Sequence, residues 1–406
     1  MKIKELFKDK KTVIRVILFV AAIVIAATMF SRALLGLSRN KEGYQAITAN
    51  PVEDALVYAN GFTFNYYFSG SSGEIKEKIK EVTAAYSNAL CRAYKQLDAD
   101  EEYNGYNNIA TLNRIACSNP ASAGVIEGEP VKVSDELFAI LKDAYYRTLT
   151  EEHYNMFAGD LYGYISSILV LNEPQEFDPA INTDTADRLE RLKELVSHNE
   201  YFNLEFLSDT EHTVRFSVDK EYFDRLAELE IEPAPLNIGI LKDAYMVETV
   251  RTVMEQGGYT DGYLTTQSGL TLALSKQSGL NFCIYGVKDE NVAILDTVPS
   301  ESPAVYCAFK AFGFGNEAMY YAFAIGDDMY YRCPYFSLKT GYDNGKYLTL
   351  YSFRDITTSD IYPCADAVMR TLNIWCDESG SDTLSTWDGY KTYYVTRDDM
   401  GTVIKK

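Results

Sequence analysis

The feature that most constrains this chain is an uncharged apolar run close to its N-terminus. Residues 16–31 read VILFVAAIVIAATMFS, with Arg15 before the run and Arg32 after it. Both arginine side chains can extend to lipid headgroups, so the run can be part of a membrane span over about 13–37. A helix needs roughly 20 residues to cross the hydrocarbon core of a bilayer. The sequence therefore predicts one transmembrane helix.

The charges around this run predict its orientation. Six basic residues precede it within fifteen positions, and such an excess favours a cytoplasmic N-terminus and an extracytoplasmic C-terminal part. A cleaved signal peptide is the alternative, but the run is long for one, and Arg32, Leu34 and Leu35 make a poor cleavage site. We therefore expect a single-pass protein of the cell membrane. Its parts are a cytoplasmic basic segment over 1–12, the span over 13–37, a linker over 38–54, one domain over 55–400 and a tail over 401–406.

The part after the span is strongly acidic. The first 41 residues hold nine of the 38 Lys and Arg and two of the 58 Asp and Glu, which leaves 29 basic and 56 acidic residues and a net charge of −27. Such a body repels nucleic-acid phosphates, so no nucleic-acid partner is expected. Solubility is a sufficient reason for the charge.

Hydrophobic periodicity in the body alternates between helical and extended patterns. Apolar residues spaced by three and four predict a helix over 74–97, and Ser134 is placed to cap a second helix that ends near 148. Further helices are predicted over 186–196, 220–229, 241–256 and 365–375, and a loop is predicted over 172–187. Strands are predicted over 61–70, 213–218, 319–325, 347–353 and 391–396, with four more between 262 and 298. Strands with segregated helices predict an α+β fold.

The residue types exclude several kinds of chemistry. The sequence contains no P-loop, no GxGxxG and no GxSxG motif. Its three His and seven single Cys give no zinc-ligand spacing, and the Cys are expected to be buried thiols. Asp366, with Thr371 further along the same helix, offers oxygen ligands that Mg²⁺ prefers. On residue types alone, an Asp that satisfies backbone N–H groups at a helix start is the preferred interpretation. Likewise, Lys242, Asp243 and Glu248 are more typical of a solvated helix face.

Several segments over about 55–400 resemble, in sequence and in order, the motifs of one known family. GFTFNYYFSG (61–70) with the following helix resembles the opening strand and helix of that family, and YNNIATLNR (106–114) resembles its SEISRLN-type segment. LNIGILKDAYMVETV (236–250) is similar to its DLGGIAKGYAVD motif. SLKTGYDNG (337–345) resembles the end of its HIIDPKTGYP motif, and ADAVMRTL (365–372) resembles its metal-binding ADALATAL helix. By these segments the chain resembles the ApbE family of FAD:protein FMN transferases.

The resemblance implies a T-fold-like α+β domain outside the cytoplasm. With Mg²⁺, such enzymes split FAD and attach FMN through a phosphoester to a Thr of a partner protein. The resemblance implies FAD as substrate, Mg²⁺ as cofactor and an extracytoplasmic flavin-accepting protein as partner. Carried over residue by residue, it assigns Asp366 as the catalytic residue and Asp366 with Thr371 as metal ligands. The flavin-binding residues are then Asn113, Phe157, Asp243, Tyr245, Glu248, Thr340 and Gly341.

The sequence departs from the family pattern at five places. Aligned without gaps, Asp243 falls where the family usually has Lys. Ala158 replaces the Asp after the Phe of the FD loop, and Ser268-Gly269-Leu270 stands where the family has a GGN turn. The HIIDP residues are lost, and Arg370 occupies the position of the family's metal-ligand Thr. Thr371 is displaced by one residue, which is about 100° around a helix. Three alternatives stay open: a divergent transferase, a flavin-binding module without turnover, and an anchored interaction protein with a vestigial site.

Overall fold

A computed structural model gives the architecture of the chain. It describes residues 41–49, 61–118, 120–121, 128–275, 280–289, 291–313, 319–357, 359–377 and 389–406. The strands of the described residues are short to moderate in length. Their bounds are β1 Gly43–Ile47, β2 Phe62–Phe68, β3 Val131–Lys132, β4 Phe202–Ser208, β5 Thr213–Val218, β6 Gly262–Thr266, β7 Leu270–Ala273, β8 Asn281–Lys288, β9 Asn291–Pro299, β10 Ala304–Lys310, β11 Tyr321–Ile325, β12 Asp328–Arg332, β13 Tyr347–Asp355, β14 Lys391–Thr396 and β15 Ile404–Lys405.

The centre of the fold is an eight-stranded antiparallel sheet in the order β1-β2-β6-β7-β10-β13-β14-β15. The other described strands form a three-stranded sheet in the order β3-β5-β4 and two hairpins, β8-β9 and β11-β12. The α+β class predicted from the sequence is confirmed.

Eight α-helices accompany these strands in the described ranges. They are α1 Ser72–Leu97, α2 Ile109–Ser118, α3 Asp135–Thr150, α4 Gly159–Leu169, α5 Thr183–Ser197, α6 Lys220–Ala227, α7 Lys242–Gln256 and α8 Pro363–Cys376. A short 3₁₀ turn, Gly239–Leu241, leads directly into α7.

The start of α1 shows how local sequence sets an element. Ser71 accepts a hydrogen bond from the Glu74 backbone N–H, and the Glu74 carboxylate accepts one from the Ser71 backbone N–H. This reciprocal pair satisfies two of the N–H groups that a helix start leaves without intrahelical partners. The apolar face that includes Val82, Tyr86 and Leu90 is then buried in the main core.

Two apolar layers enclose the large sheet. On one face, Leu270, Val305 and Phe309 belong to the main core, together with buried residues of α1, α7 and α8. On the other face, Phe282 of β8 stacks on Tyr306 with ring centroids 4.8 Å apart, within a second, smaller core. The central strands β10 and β13 are therefore buried on both faces, and the main core lies between the sheet and α1, α7 and α8.

Most of the helices and strands predicted from the sequence are present in the structure at the predicted positions. Ser134 caps α3, the helices over 74–97, 241–256 and 365–375 are confirmed, and the strands over 213–218 and 391–396 match β5 and β14. Helix α5 starts at Thr183, inside the predicted 172–187 loop, because Asn182 supplies an N-cap that accepts from the Thr185 backbone N–H. The sequence predicts neither helices α2 and α4 nor six of the strands, which are β1, β3, β4, β10, β12 and β15.

The N-terminal predictions meet the structure only in part. Strand β1 begins at Gly43 and pairs with β2, so ordered sheet starts within the predicted 38–54 linker. The predicted span over 13–37 lies outside the described residues. Among the residues that are described, no helix is long and apolar enough to cross a membrane.

Candidate functional site

A wide cleft opens where α4, the loop before α7 and the turn after β6 approach one another. Its volume is about 780 Å³, within the roughly 300–1,000 Å³ that small-molecule sites span. Aromatic side chains supply much of its wall. The aromatic lining residues are Phe62, Tyr162, Tyr164, Tyr320, Tyr335 and Phe336.

The N-terminus of α4 is hydrogen-bonded to the loop that forms one wall of the cleft. The Gly159 backbone N–H donates to the Pro235 carbonyl at 2.9 Å, and a Cβ at position 159 would lie 2.1 Å from the Ala234 carbonyl oxygen. Only glycine therefore permits this approach. Buried Asp160 accepts from the Ala234 N–H at 2.8 Å and from the Tyr222 hydroxyl, while burial raises its pKa to about 6.

The loop into α7 needs a second glycine at this wall. Gly239 has φ +58, and a Cβ there would lie 2.7 Å from the Tyr162 ring. The Gly239 N–H donates to the Asn237 side chain at 2.8 Å, and the Asn237 N–H donates to the Met156 carbonyl. The ring of Tyr162 thus packs directly against the backbone at Gly239, and no side chain separates the two at this wall of the cleft.

Asn113 supports this loop from behind. Its side-chain amide donates to the Leu236 carbonyl at 2.9 Å and accepts from the Leu236 N–H at 2.9 Å. Phe157, also predicted to bind flavin, stacks on Phe202 with centroids 5.1 Å apart in the core. Neither Asn113 nor Phe157 lines the cleft. Both residues instead stabilise the segments around it.

The three predicted flavin-binding residues of α7 point in different directions. Asp243 lines the cleft. Tyr245 is fully buried, and its hydroxyl donates to Asp143 at 2.6 Å. Glu248 is buried, accepts from the Cys364 N–H at 2.6 Å and pairs with Arg251 at 3.3 Å. Burial raises the Glu248 pKa to about 7. Of these three, the structure brings only Asp243 to the cleft.

Thr340 and Gly341 belong to a separate turn. The Thr340 hydroxyl donates to the Tyr342 carbonyl at 2.9 Å. Gly341 has φ +78 and lines a small cavity of about 30 Å³. That cavity shares Tyr335 and Phe336 with the large cleft, but Thr340 and Gly341 do not line the cleft. The structure therefore does not bring these two residues together with Asp243.

Asp366 lies at the start of α8 between two arginines. Its carboxylate is 2.8 Å from Arg147 Nη2 and 3.8 Å from Arg354 Nη1. Arg147 also binds Asp143 at 2.7 Å, and its side chain is only 9% exposed. Arg354 lies closer to Asp360, at 2.5 Å, so Arg147 is the nearer cation to Asp366. The partly exposed carboxylate of Asp366 is therefore already engaged by an arginine of α3.

The other predicted metal ligand is also engaged. Thr371 is fully buried, and its hydroxyl donates to the Ala367 carbonyl at 2.7 Å. Arg370 lies beside it in the core, with Nη2 3.4 Å from the Thr392 hydroxyl. In the described part of the chain, no three His, Cys, Asp or Glu side chains are grouped to hold a metal ion. This donor set does not fit Mg²⁺, because a cation would have to displace arginines from Asp366.

Several residues that shape the cleft were missed by sequence reasoning. They are Asp160, Tyr162, Asn237 and Gly239. Leu161, Ile165, Ile168 and Leu169 have helical spacing, and this signal could have revealed α4 despite Gly159 and Gly163. The contact between α4 and Ala234, in contrast, cannot be predicted from the pattern of residues in a single sequence.

Comparisons with known proteins agree on the fold. No family profile matches the chain, and no curated protein matches it. Among solved structures, the chain is similar to the ApbE protein of Thermotoga maritima, with a TM-score of 0.54 and 12% identity over 90% of this chain and 97% of that one. It is also similar to a histidine-to-glycine mutant of the flavin transferase ApbE from Vibrio cholerae, with a TM-score of 0.51, 12% identity and the same two coverages. The chain therefore has the ApbE fold over nine-tenths of its length.

Proposed function

We propose that this protein binds a flavin in the large cleft and does so without Mg²⁺. The observation that carries the proposal is a cleft of about 780 Å³ with aromatic walls, in a fold shared with a flavin transferase. Flat aromatic ligands favour such walls, since ring pairs gain free energy beyond the burial of area. FAD is the flavin that the family resemblance implies.

Independence from Mg²⁺ follows from the state of Asp366. Its carboxylate already pairs with Arg147 at 2.8 Å, and the Thr371 hydroxyl donates to the helix backbone. Removing those contacts would leave charged groups without partners, which is costly away from bulk water. We therefore assign these residues to stabilising the junction of α3, α8 and β13.

The location of the protein is proposed from its sequence. The run over 13–37 anchors the chain in the cell membrane, and the basic segment over 1–12 keeps the N-terminus in the cytoplasm. The domain over 55–400 then lies outside the cytoplasm, where membrane-bound partners are within reach. An extracytoplasmic flavin-accepting protein is the partner that the resemblance implies.

Transfer of FMN from FAD to a Thr of that partner is the second candidate. One observation favours it: the Asp366 side chain keeps 36% of its surface exposed, so the carboxylate is not sealed in the core. The residue also occupies the position of the metal-binding Asp in the family that the sequence resembles.

One experiment separates these candidates. The full-length protein in detergent is titrated into FAD while flavin fluorescence is followed, with Mg²⁺ and with EDTA. Equal binding under both conditions supports the proposal, and absence of binding contradicts it. Adding a flavin-accepting domain and looking for in-gel flavin fluorescence tests transfer, which would be established by a labelled acceptor whose labelling is lost in Asp366→Ala.

A matched pair of variants locates the bound flavin. Gly163 lines the cleft on α4 with open space around its Cβ position, and Gly73 is an exposed glycine of α1 with equal space. Gly163→Trp is expected to abolish FAD binding by filling the cleft, while Gly73→Trp is expected to leave it unchanged. Unchanged binding in both variants would place the flavin elsewhere.

A further inference from the structure

One edge of the large sheet is built from strands without charged residues. Strands β1, β2, β6 and β7 read GYQAI, FTFNYYF, GYLTT and LTLA, although charged residues make up 24% of the chain. The four strands are neighbours in the sheet. Because the rest of the domain is strongly acidic, these strands form a part of it that can approach an anionic lipid surface with little repulsion.

The two faces of this edge have different surroundings. Side chains alternate between the faces along a strand, and Phe62, Phe64 and Phe68 of β2 are buried in the main core. On the opposite face, the β8-β9 hairpin packs on the central strands, and the smaller core formed there includes no residue of β1 or β2 among the described residues. The side of β1 and β2 that points away from the helices is therefore left beside this core, at the edge of the sheet.

Three tyrosines occupy that side and contact one another. Tyr44 of β1 lies opposite Tyr67 of β2 with ring centroids 5.2 Å apart, and the Tyr263 ring of β6 is 5.9 Å from that of Tyr44. Tyr44 and Tyr67 keep 41% and 38% of their surface exposed. We call this side of β1, β2 and β6 the tyrosine face. A tyrosine combines an apolar ring with a polar hydroxyl, which suits the zone where a protein meets lipid headgroups.

The charges next to the tyrosine face nearly cancel. Lys41 and Glu42 directly precede β1, and Asp261 directly precedes β6. The Tyr67 hydroxyl donates to Glu42 at 3.4 Å, and the Tyr67 backbone N–H donates to the Asp261 carbonyl at 2.8 Å. One basic and two acidic residues thus flank the face, whereas the chain after residue 41 has a net charge of −27.

The chain itself indicates what covers this face. Strand β1 begins at Gly43, and only residues 38–42 separate it from the predicted span over 13–37. Five residues extend at most about 18 Å. The span would therefore hold β1 beside the headgroups. A contact made by a tethered surface is intramolecular, so even weak contacts with lipid suffice to orient the domain.

We propose that the tyrosine face lies on the outer lipid surface of the membrane. The inference goes beyond flavin binding and rests on the proposed anchor over 13–37. In this orientation the uncharged strands face the lipid, and the acidic remainder of the domain is turned away from it.

Quenching by nitroxide-labelled lipid tests the contact. Full-length Tyr67→Trp is reconstituted in phosphatidylcholine vesicles with or without a headgroup nitroxide, and the emission of the wild type is subtracted. We expect the nitroxide to reduce the emission of the added Trp, because the headgroups touch it. Tyr146→Trp is the matched control, since Tyr146 on α3 is 65% exposed and lies outside the tyrosine face. Its emission should not change.

Flotation of the same vesicles separates the possible failures. Protein that floats with them but shows no quenching at position 67, or equal quenching at 67 and 146, overturns the inference and leaves the anchor intact. Protein that does not float overturns the anchor and this inference with it. Flavin titration of the same samples is independent of both results, so a failure of the proposed flavin binding is recognised separately.

An added charge tests the cause. Asn65 lies on the tyrosine face, opposite Ala46 of β1 and Tyr263 of β6. In vesicles that contain phosphatidylglycerol, Asn65→Asp is expected to weaken the quenching of Tyr67→Trp at low salt, and high salt is expected to restore it because exposed charges are screened. A misfolded variant would not recover in salt. Asn203→Asp, on β4 outside the face, is the control and should change nothing. Quenching that ignores Asn65→Asp, or responds equally to the control, contradicts the proposal that this face meets the lipid.

Discussion

At the scale of single residues, Arg147 makes contacts that link three elements. It lies on α3 and binds Asp143 on the same helix and Asp366 on α8, at 2.7 and 2.8 Å. Asp143 in turn accepts from Tyr245 on α7. Because Arg147 is almost fully buried, its guanidinium depends on these carboxylates, and they depend on it.

Replacing Arg147 tests this dependence. Arg147→Met is expected to lower the free energy of unfolding by about 2–4 kcal/mol. This is less than the loss on breaking a fully buried ion pair, because Asp366 is partly solvated. Arg92→Met is the control, because Arg92 of α1 pairs with Glu136 of α3 at a more solvated site, where the side chains are 41% and 35% exposed. Loss of that pair should cost under about 1 kcal/mol. Urea unfolding of both variants measures the difference. Equal losses would mean that the Arg147 pairs contribute no more than a surface contact.

Glu248 predicts a pH dependence of stability. Burial raises its pKa from 4.5 to about 7, so the folded state holds this proton more tightly than the unfolded state. The stabilising contribution is complete below pH 4.5 and is lost as the pH rises through 7. Relative to Glu248→Gln, the wild type is expected to lose up to about 3 kcal/mol over this range.

Unfolding curves of both proteins at several pH values measure this loss. The difference between the two proteins isolates Glu248 from the other titrating groups. Glu255 still pairs with Arg251 in the variant, at 3.0 Å, so the guanidinium keeps a partner. A difference that stays constant with pH would show that Glu248 has an ordinary pKa in the folded state.

At the scale of elements, the position of α4 decides the shape of the cleft. Two glycines on this helix have opposite surroundings. A Cβ at Gly159 would meet the Ala234 carbonyl, while a Cβ at Gly163 would meet nothing within 4 Å. A glycine-to-alanine substitution is therefore expected to displace helix α4 at position 159 and to stabilise it at position 163.

We expect Gly159→Ala to cost about 1–3 kcal/mol of stability, because the helix start must move away from the loop over 234–239. Flavin affinity should fall with it. Gly163→Ala is the control and should stabilise the protein by up to about 1 kcal/mol, since alanine favours a helix over glycine. Thermal unfolding and flavin titration of both variants check this. A tolerated Gly159→Ala would mean that the contact of α4 with the loop is not close in solution.

Elements with clear periodicity were predicted, and those without it were not. Helix α1 is predicted because its apolar residues recur at three and four positions, whereas its cap at Ser71 is seen only in the structure. Strand β10, AVYCAFK, is buried along most of its length and shows no alternation, so a pattern of period two could not reveal it. Helix α4 was overlooked because its two glycines obscure a helical spacing.

At the scale of the whole molecule, the predicted anchor places the domain close to the membrane. Strand β1 starts at Gly43, and the five residues 38–42 can extend at most about 18 Å. The edge of the large sheet would then lie near the lipid surface. The acidic body should face away from anionic headgroups, because like charges repel.

Membrane anchoring can be tested in the full chain. Ile23→Arg with Ile25→Arg is expected to release the protein from the membrane, since an arginine at the centre of a span costs about 2.5–3.5 kcal/mol. Ile23→Leu with Ile25→Leu is the control and should keep it there. Carbonate extraction of membranes measures retention, and protease protection reports which side the domain occupies. Equal release of both variants would contradict an anchor over 13–37.

The sequence by itself determined the α+β class, the ends of many helices and strands, and the acidic character of the domain. These follow from contacts within a few residues, which local spacing and capping record. The resemblance also predicted that Arg370 occupies the position of a metal-ligand Thr of the family, and this stays a prediction. Only the tertiary structure decided that Asp366 pairs with Arg147, which is 219 positions away. The same holds for the cleft, whose carboxylates come from four separate segments. Long-range pairing leaves no periodic pattern in a single sequence, so packing alone brings such groups together.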